Sequence, residues 1–421
     1  MDSHITTVRR WTSCEKTIEQ LNDKTRPGRP RIYTKETELK VIAFYCQITP
    51  LPGCGRWTLS WAAIHLKANP ELIGASPSKS TIHRILKSNK LKPHLSRYFL
   101  HITDPDFFPK MEHLVNLYMN PPKYLFFFDE CPGIQILKRI SPDLRDEMMN
   151  CLQEFEYIRN GTTDVFAFLN HADGTVFAGC YKDHKTQTLI KVFKQHVSQF
   201  PRSEPLHYVM DNLSSHSSYT FCQIVAKLSG IKCPPEKVLK TRSKRVDWLT
   251  SPEKRIVIHY TPYHGSWLNL VEIWFGIMGK KVLNESFGSP QEIKTAFDSF
   301  VTQWNLLLAH PFRWNYTGDG LHEKAVKRFT SMLRDSAARM DIRFLTKSLM
   351  LMSNILKNYY SKVSETIWIE FEKIFWSQLP IITDIIVREK SDGKSKKASD
   401  AIDAMIMDLD KSMNQTILIA A

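Results

Sequence analysis

Three apolar runs along the chain predict buried strands, and the first two lead directly into an acid. Residues 124–128 (YLFFF) precede Asp129, residues 207–210 (HYVM) precede Asp211, and residues 255–260 (RIVIHY) form a third run. A continuous apolar run of this length is typical of a strand that is covered on both faces. We therefore predict that two central strands bring two carboxylates to one edge of a sheet.

A helix is predicted to begin near Trp267, with Ser266 as its N-cap, and it carries a third acid. Glu272 falls in the second turn of this helix. Helical spacing divides the neighbouring residues between two sides. They are Asn269, Gly276 and Gly279 on the side of Glu272, and Leu270, Ile273 and Ile277 on the opposite, apolar side. The amide and the two glycines leave room for a ligand to approach the acid.

Three carboxylates have the chemistry that a pair of Mg²⁺ ions requires. Magnesium prefers anionic oxygen ligands, and two ions about 4 Å apart can hold a scissile phosphodiester between them. Each acid alone is more often a solvated turn residue or a helix cap. Together, Asp129, Asp211 and Glu272 predict a metal site in which the three carboxylates converge. Glu130 would lie on the opposite face of its strand and is predicted to be structural.

These residues resemble the catalytic blocks of DDE transposases of the mariner superfamily, in its bacterial insertion-sequence six-thirty branch. The matching segments are FFFDECPGIQ at 126–135, MDNLSSH at 210–216, HYTPYHGSWLNLVEIWFG at 259–276 and WNLLLAHPFRWNY at 304–316. The resemblance implies an α/β, RNase H-like catalytic domain, with a mixed five-stranded sheet flanked by helices. The chain offers strands at 124–129, 164–170, 174–182, 206–211 and 255–260, and helices at 186–200, 217–229 and 267–283.

The same resemblance implies a transposase that binds terminal inverted repeats, cleaves DNA by metal-dependent hydrolysis and joins the 3′-hydroxyl ends to target DNA. It implies two Mg²⁺ (or Mn²⁺) ions held by Asp129, Asp211 and Glu272, double-stranded DNA as partner, and a homodimer or higher oligomer on that DNA. Candidates for supporting or substrate-contacting roles are Asn212, His216, His264, Ser266, Trp267 and Asn269. Two alternatives stay open: a catalytically idle DNA-binding remnant or repressor, and another RNase H-like nuclease that acts on RNA hybrids or junctions.

One segment departs from the family pattern. Asp211 and Glu272 are 61 positions apart, which is longer than the compact spacing usual in the family, and residues 233–255 between them carry seven Lys or Arg against three acids. This basic insert either contacts DNA phosphates or forms a solvated surface excursion.

Charge and helical pattern predict a DNA-binding module ahead of the catalytic segment. The net charge is +14, and residues 1–103 hold 17 Lys plus Arg against 7 Asp plus Glu, which favours a polyanionic partner. Helical patterns at 41–47, 57–67 and 78–88 predict a helix-turn-helix with Ile82, Ile85 and Leu86 facing inward. The outward residues of its last helix are the candidates for DNA contact: Lys79, Ser80, His83, Arg84 and Lys87. A three-helix module with a merely basic surface is the alternative.

A proline-fixed strip precedes this module. Its arginines Arg26, Arg29 and Arg31 suit a narrow minor groove, and the strip resembles the linker between two helix-turn-helix units. VRRW at 8–11 resembles the end of the first unit, of which we expect only a remnant. The predicted domains are 1–35 (remnant and linker), 36–103 (helix-turn-helix), 104–320 (catalytic) and 321–421 (helical extension).

Beyond residue 320, apolar spacings of three and four predict long helices, with a flexible basic linker at 390–400 and a short helix at 401–421. The eight cysteines form no CxxC pair and have no His at zinc spacing, so neither a zinc site nor a disulfide framework is expected. The sequence contains no signal-peptide core, membrane-length apolar run or Walker motif. These features favour a cytoplasmic, nucleoid-associated bacterial protein without a membrane partner.

Overall fold

The computed structural model describes residues 4–13, 32–47, 56–92, 102–141, 143–153, 155–283, 285–388 and 394–420. The chain divides into two compact units, Met1–Phe99 and Leu100–Ala421. The linker arginines Arg26, Arg29 and Arg31 lie outside the described residues, so their predicted DNA contact stays a prediction.

The first unit is helical, and its last helix has the predicted inner and outer faces. Its helices are α1 (Ile5–Thr12), α2 (Lys35–Gln47), α3 (Leu59–Ala68) and α4 (Lys79–Ser88). The side chain of Ser78 caps α4 by accepting the Thr81 N–H at 3.3 Å. Ile82, Ile85 and Leu86 are buried in one cluster with residues of α2 and α3. The five predicted DNA-contact residues of α4 are all exposed.

The second unit is built on a mixed five-stranded sheet, as predicted for an RNase H-like domain. Its strands are β1 (Leu125–Arg139), β4 (Tyr157–Asn170), β5 (Val176–Tyr181), β6 (Leu206–Met210) and β7 (Ile256–Tyr260). Their order is β5-β4-β1-β6-β7. β1–β4 and β4–β5 pair antiparallel, whereas β1–β6 and β6–β7 pair in parallel.

Helices cover both faces of this sheet. Because side chains alternate along a strand, Phe126 and Phe128 face one core and Leu125 and Phe127 face the other. The first core is closed by α6 (Thr186–Val197), α7 (Tyr219–Ser229) and α8 (Arg242–Thr250), and the second by α5 (Phe107–Met119), α9 (Val271–Lys281) and α10 (Pro290–Gln303). The uninterrupted apolar runs thus correspond to strands that are covered on both faces.

The first strand is longer than predicted. β1 does not end at Asp129 but continues to Arg139, because Glu130 and Cys131 remain paired with β4. An irregularity between Cys131 and Ile134 accommodates Pro132, and the Gly133 N–H there donates to Asp164 at 2.7 Å. The resulting two-stranded arm ends in β2 (Leu144–Arg145) and β3 (Cys151–Leu152). Apolar side chains are exposed along its outer end: Ile140, Leu144, Met148, Met149, Leu152 and Phe155.

The C-terminal helices pack into the second core. They are α11 (Leu321–Ser336), α12 (Ile342–Asn358), α13 (Glu365–Arg388) and α14 (Lys394–Ala420). The predicted flexible linker at 390–400 is wrong from Lys394 onward, because α14 already begins there and buries Ala398; residues 389–393 lie outside the described residues. Every described helix is too short or too polar to cross a membrane.

The Trp-Asn pattern after the catalytic blocks fastens the β4–β5 hairpin. In the π-helical turn after α10, the Trp304 indole donates to the Gly174 carbonyl at 2.9 Å. The Asn305 amide bonds both backbone groups of Val176, at 2.8 and 2.9 Å. Gly174 has a φ of +73°, and a Cβ there would lie 1.9 Å from the His310 carbonyl oxygen. Only glycine fits this turn.

Candidate active site

Parallel pairing aligns the first two acids. The β1–β6 register ends at Phe127 opposite Val209, so Asp129 and Asp211 each follow two residues later on adjacent strands. Asp211 comes directly after β6, as predicted, whereas Asp129 lies within β1. The parallel pairing ends before either acid, and the two acids follow its last pair at the same distance along the chain.

The third acid reaches this edge through a loop rather than a continuous helix. After β7, a 3₁₀ turn (Ser266–Leu268) precedes α9, which begins at Val271 and carries Glu272 in its first turn. The predicted helix start at Trp267 and the Ser266 cap are therefore wrong. Asn269 explains the break, because its backbone is extended (φ −84°, ψ 108°) while its side chain is held by the sheet.

The apolar face predicted for this helix is also wrong. The buried residues of α9 are Val271, Trp274, Phe275 and Met278, while the side chain of Ile273 is 47% exposed. The large aromatic residues take the face towards the core. A Cβ added to Gly276 or Gly279 would meet nothing within 4 Å. The space beside both glycines is therefore open.

Asn269 supports Asp129 from the loop. Its buried amide nitrogen donates to the Phe128 carbonyl at 2.9 Å and to Asp129 Oδ2 at 3.2 Å. Asp129 Oδ1 accepts the Glu130 N–H at 2.9 Å. The Asn269 Oδ1 atom is buried and has no hydrogen-bond partner in the described part of the chain. One acceptor next to the Asp129 carboxyl is thus left for a ligand.

A buried histidine supports Asp211. His216 Nδ1 lies 2.7 Å from Asp211 Oδ1, and its Nε2 lies 3.0 Å from Glu130 Oε1. The Tyr260 hydroxyl donates to the His216 carbonyl at 2.6 Å and holds the turn. Burial opposes the charge of the imidazole, but the Glu130 and Asp211 carboxylates outweigh it and raise the His216 pKa to about 10. The two carboxylates thus favour the protonated form of the imidazole.

Sequence reasoning placed Glu130 on the opposite face from Asp129 and missed its partner. The Glu130 side chain is only 4% exposed because it ends on His216, whose other nitrogen returns to the acid at the strand end. The sequence feature that could have indicated this contact is His216, five positions after Asp211. It lies in a 3₁₀ turn that lets its side chain reach both Asp211 and Glu130.

The three acids share a strongly negative environment. Burial, and then the charges of Asp211 and Glu130, raise the pKa of Asp129 to about 8. Burial, followed by the charge of Asp211, raises the pKa of Glu272. Burial acts in the same direction on Asp211, but the hydrogen bond and charge of His216 outweigh it and lower the pKa of that carboxyl. A cation would relieve the repulsion at Asp129 and Glu272.

The donor set fits a hard divalent cation in its chemistry. Carboxylates and an unpartnered amide oxygen are oxygen ligands of the kind that Mg²⁺ prefers. Among the residues that the structure describes, however, no three His, Cys, Asp or Glu side chains are already grouped to hold a metal ion. The three acids therefore lie near one edge of the sheet and influence each other's pKa, but their carboxylates are not grouped closely enough to form a complete metal site.

The remaining predicted residues fall into two groups. Asn212, His216 and Asn269 contact the acids or the loops that carry them: the Asn212 amide, for example, donates to the Thr261 carbonyl. His264, Ser266 and Trp267 are exposed, and Trp267 stacks edge-to-face on Tyr316 with ring centroids 5.1 Å apart. His264 has a left-handed backbone (φ 61°) in the same loop. The described contacts do not link these three residues to the acids.

Two family models match the chain. Residues 127–294 match the DDE superfamily endonuclease family, and residues 7–86 match a homeodomain-like domain. These matches confirm the predicted DDE-type domain and the helix-turn-helix type of the N-terminal unit; the six-thirty branch stays a prediction. No curated protein is significantly similar to the chain.

Solved structures with partial similarity include complexes of Mos1. The Mos1 mariner paired-end complex with Mn is 13% identical, with 71% of this chain and 80% of that chain covered and a TM-score of 0.41. The Mos1 paired-end complex with Mg is 15% identical, with coverages of 71% and 80% and a TM-score of 0.39. The Mos1 strand transfer complex is 12% identical, with coverages of 86% and 88% and a TM-score of 0.31.

Proposed function

We propose that this chain is a mariner-like DDE transposase, which cleaves DNA at transposon ends and joins the 3′-hydroxyl ends to target DNA. The observation that carries the proposal is an anionic sheet edge within a DDE superfamily endonuclease match, where Asp129 and Asp211 each follow two residues after the last parallel β1–β6 pair, Phe127 and Val209. Glu272, on α9, is the third proposed acid.

Asp129, Asp211 and Glu272 would hold two Mg²⁺ (or Mn²⁺) ions, which when bound activate the attacking oxygen and stabilise the leaving oxygen. The chain's own residues prepare this site. Asn269 fixes one oxygen of Asp129, and His216 fixes one oxygen of Asp211 while keeping it ionised. The side-chain oxygen of Asn269, which is buried without a hydrogen-bond partner in the described part of the chain, remains as a further oxygen ligand for a cation beside Asp129.

We propose double-stranded DNA and further copies of the chain as partners. The exposed face of α4, which includes Lys79, Arg84 and Lys87, supplies positive charge for transposon-end binding. The outer end of the β1–β4 arm exposes apolar side chains, such as Met148 at 83% and Phe155 at 85%. Strong exposure of several apolar side chains on one arm is typical of protein interfaces, and we propose that a second copy covers them.

Single substitutions that keep side-chain size test the reaction and the site together. Asp129→Asn, Asp211→Asn and Glu272→Gln should each reduce Mg²⁺-dependent cleavage of DNA bearing the element's terminal repeats by at least about a thousandfold, because each removes an anionic metal ligand. DNA affinity should not fall, since the acids do not bind phosphate directly. Cleavage is measured on labelled DNA, and affinity by fluorescence anisotropy without metal.

The outcomes separate the candidate functions. Binding by the unaltered protein without any cleavage would favour the idle DNA-binding remnant. Near-normal cleavage by one of the three variants would remove that acid from the site. Preferential cleavage of RNA hybrids or junctions would favour the other nuclease class.

A further inference from the structure

The basic 233–255 segment directs most of its Lys and Arg side chains towards the protein. Four of its seven cationic residues donate to acceptors within the unit: Arg242, Arg245, Lys254 and Arg255. The three others are exposed: Lys237, Lys240 and Lys244. The sequence predicted either a DNA-binding surface or a solvated surface loop. Neither prediction accounts for the four basic residues that donate hydrogen bonds within the unit.

Arg242, at the start of α8, donates to three residues in two loops around the candidate site. Its Nε donates to Ser217 Oγ at 3.2 Å, and one terminal nitrogen donates to the Tyr263 hydroxyl at 2.7 Å. The other terminal nitrogen donates to the Asn212 carbonyl. All three guanidinium nitrogens are thus committed to the protein, and the side chain is only half-exposed.

Arg245 anchors the same loop one helical turn later. Its Nε donates to the Ser217 carbonyl at 2.6 Å, and a terminal nitrogen donates to the carbonyls of Leu239 and Lys240, both at 3.1 Å. These bonds tie the loop after β6 to the segment that leads into α8. Buried or half-buried carbonyls need such donors, because an unsatisfied one costs about 1 to 3 kcal/mol.

The loop held by these arginines is residues 211–218, which carries both Asp211 and His216. Arg242 also contacts the loop after β7 through Tyr263, and the Asn212 amide bonds the same loop at Thr261. That second loop leads to α9 and Glu272. One guanidinium group therefore fixes the separation between two segments that each deliver a proposed metal ligand.

We propose that Arg242 and Arg245 are positioning residues, which brace the 211–218 loop so that Asp211 is held for catalysis. In this proposal the 233–255 segment holds the 211–218 loop in place through hydrogen bonds, and Arg242 and Arg245 do not contact DNA phosphates. The inference deepens the proposed function and rests on it for the reaction that is assayed. Lysine cannot replace either arginine, because a single ammonium group lacks the planar fork of donors.

The test compares Arg242→Gln, Arg242→Lys and Arg245→Lys with a matched control, Lys244→Gln, which removes the same charge from the exposed side of α8. Amide hydrogen exchange in residues 211–218 is measured with and without Mg²⁺. Single-turnover cleavage is measured at saturating DNA, and DNA affinity is measured over a range of salt concentrations. The three arginine variants should exchange faster in 211–218 while β6 and β7 keep their protection.

Cleavage by the arginine variants should fall about 10- to 100-fold, which is the usual effect of losing a partner that orients a metal ligand. Their DNA affinity and its salt dependence should stay unchanged, and Lys244→Gln should exchange and cleave like the unaltered protein. If Arg242→Gln instead leaves loop exchange unchanged and reduces the salt slope by about one, it contacts a phosphate and the inference is wrong. The inference also fails if exchange and cleavage are both unchanged.

Two further outcomes are distinguishable. If the unaltered protein does not cleave DNA, the proposed reaction fails, but the exchange contrast between Arg242→Gln and Lys244→Gln still decides whether the loop is braced. If Arg242→Gln also loses protection in β6 and β7, it has destabilised the whole unit. The milder variants Arg242→Lys and Arg245→Lys then decide the question. If amide exchange in residues 211–218 is unchanged in both of them, the proposal that these arginines hold the loop is wrong.

Discussion

At the residue scale, the environment of Asp129 is suited to a bound cation and unfavourable without one. The carboxyl is buried, accepts hydrogen bonds from the Glu130 backbone and the Asn269 amide, and faces the negative charge of Asp211. Two hydrogen bonds do not offset burial and repulsion, so its pKa is raised to about 8. The ionised Asp129 carboxylate, which a cation would bind, therefore destabilises the folded protein.

Replacing Asp129 by Asn should stabilise the metal-free protein at alkaline pH. The folded pKa of Asp129 lies above its ordinary value of 3.8, so the unfolded state releases this proton first and folding becomes less favourable as pH rises from about 4 to 8. Asn has no proton to release. We expect the unfolding free energy of Asp129→Asn to exceed that of the unaltered protein by a few kcal/mol above pH 8, since one pKa unit corresponds to about 1.4 kcal/mol.

Urea unfolding at several pH values with a chelator measures this difference. It should be small near pH 4, grow up to about pH 8 and then level off, and adding Mg²⁺ should reduce or reverse it because only the carboxylate binds the ion strongly. A difference that does not change with pH would show that Asp129 ionises as easily in the folded protein as in the unfolded one.

The local pattern of the sequence singled out the acids of the candidate site, but it did not indicate the contacts between their side chains and the rest of the unit. An apolar run followed by an acid indicated Asp129 and Asp211, because buried strands and their ends have a clear local pattern. The bridge from Glu130 through His216 to Asp211 has no such pattern, since it joins residues 86 positions apart. The contacts of Arg242 were missed for the same reason: charge density is visible in a sequence, but the direction of a guanidinium group depends on tertiary packing.

At the element scale, the predicted positions of β6 and β7 were right, whereas the end of β1 and the start of α9 were not. β6 and β7 begin and end within one residue of expectation, because their apolar runs are bounded by polar and proline residues. β1 runs ten residues past its predicted end, since its antiparallel partner β4 continues to pair with it beyond Asp129. α9 starts late because a tertiary bond from Asn269 to the sheet overrides local helical preference.

Helix α4 offers an element-scale test of DNA binding. Replacing Arg84 and Lys87 by Ala should weaken binding to terminal-repeat DNA and lower the slope of log affinity against log salt by about one for each lost phosphate contact. Both residues are exposed, whereas the helix is held by buried Ile82, Ile85 and Leu86, so the helix content in circular dichroism should stay the same.

Lys67→Ala on α3 is the control for this test, because it removes an exposed charge from a helix to which no DNA contact is assigned. If the control weakens binding as much as the α4 variants do, the unit binds DNA through diffuse positive charge. The simpler alternative of a merely basic three-helix module would then be preferred.

At the scale of the whole molecule, the sheet and the C-terminal helices share one hydrophobic core. Phe127 on β1, Trp274 on α9 and Phe371 on α13 belong to the same buried cluster. Specific contacts reinforce it: Phe108 stacks on His322 at 3.8 Å, and the Tyr359 hydroxyl donates to Glu112 at 2.9 Å. The helices beyond residue 320 therefore complete one face of the catalytic sheet rather than forming a core of their own.

This shared core predicts that damage in the C-terminal helices destabilises the candidate site. Phe371→Ala removes a fully buried ring, which costs about 3 to 5 kcal/mol in typical cores. Because folding within one core is cooperative, hydrogen exchange in β6, next to Asp211, should accelerate together with exchange in α12. Leu66→Ala, in the separate core of the first unit, is the control and should leave β6 protection unchanged. If Phe371→Ala opens only the C-terminal helices while β6 stays protected, those helices are an independent folding unit, and the catalytic sheet is stable without them.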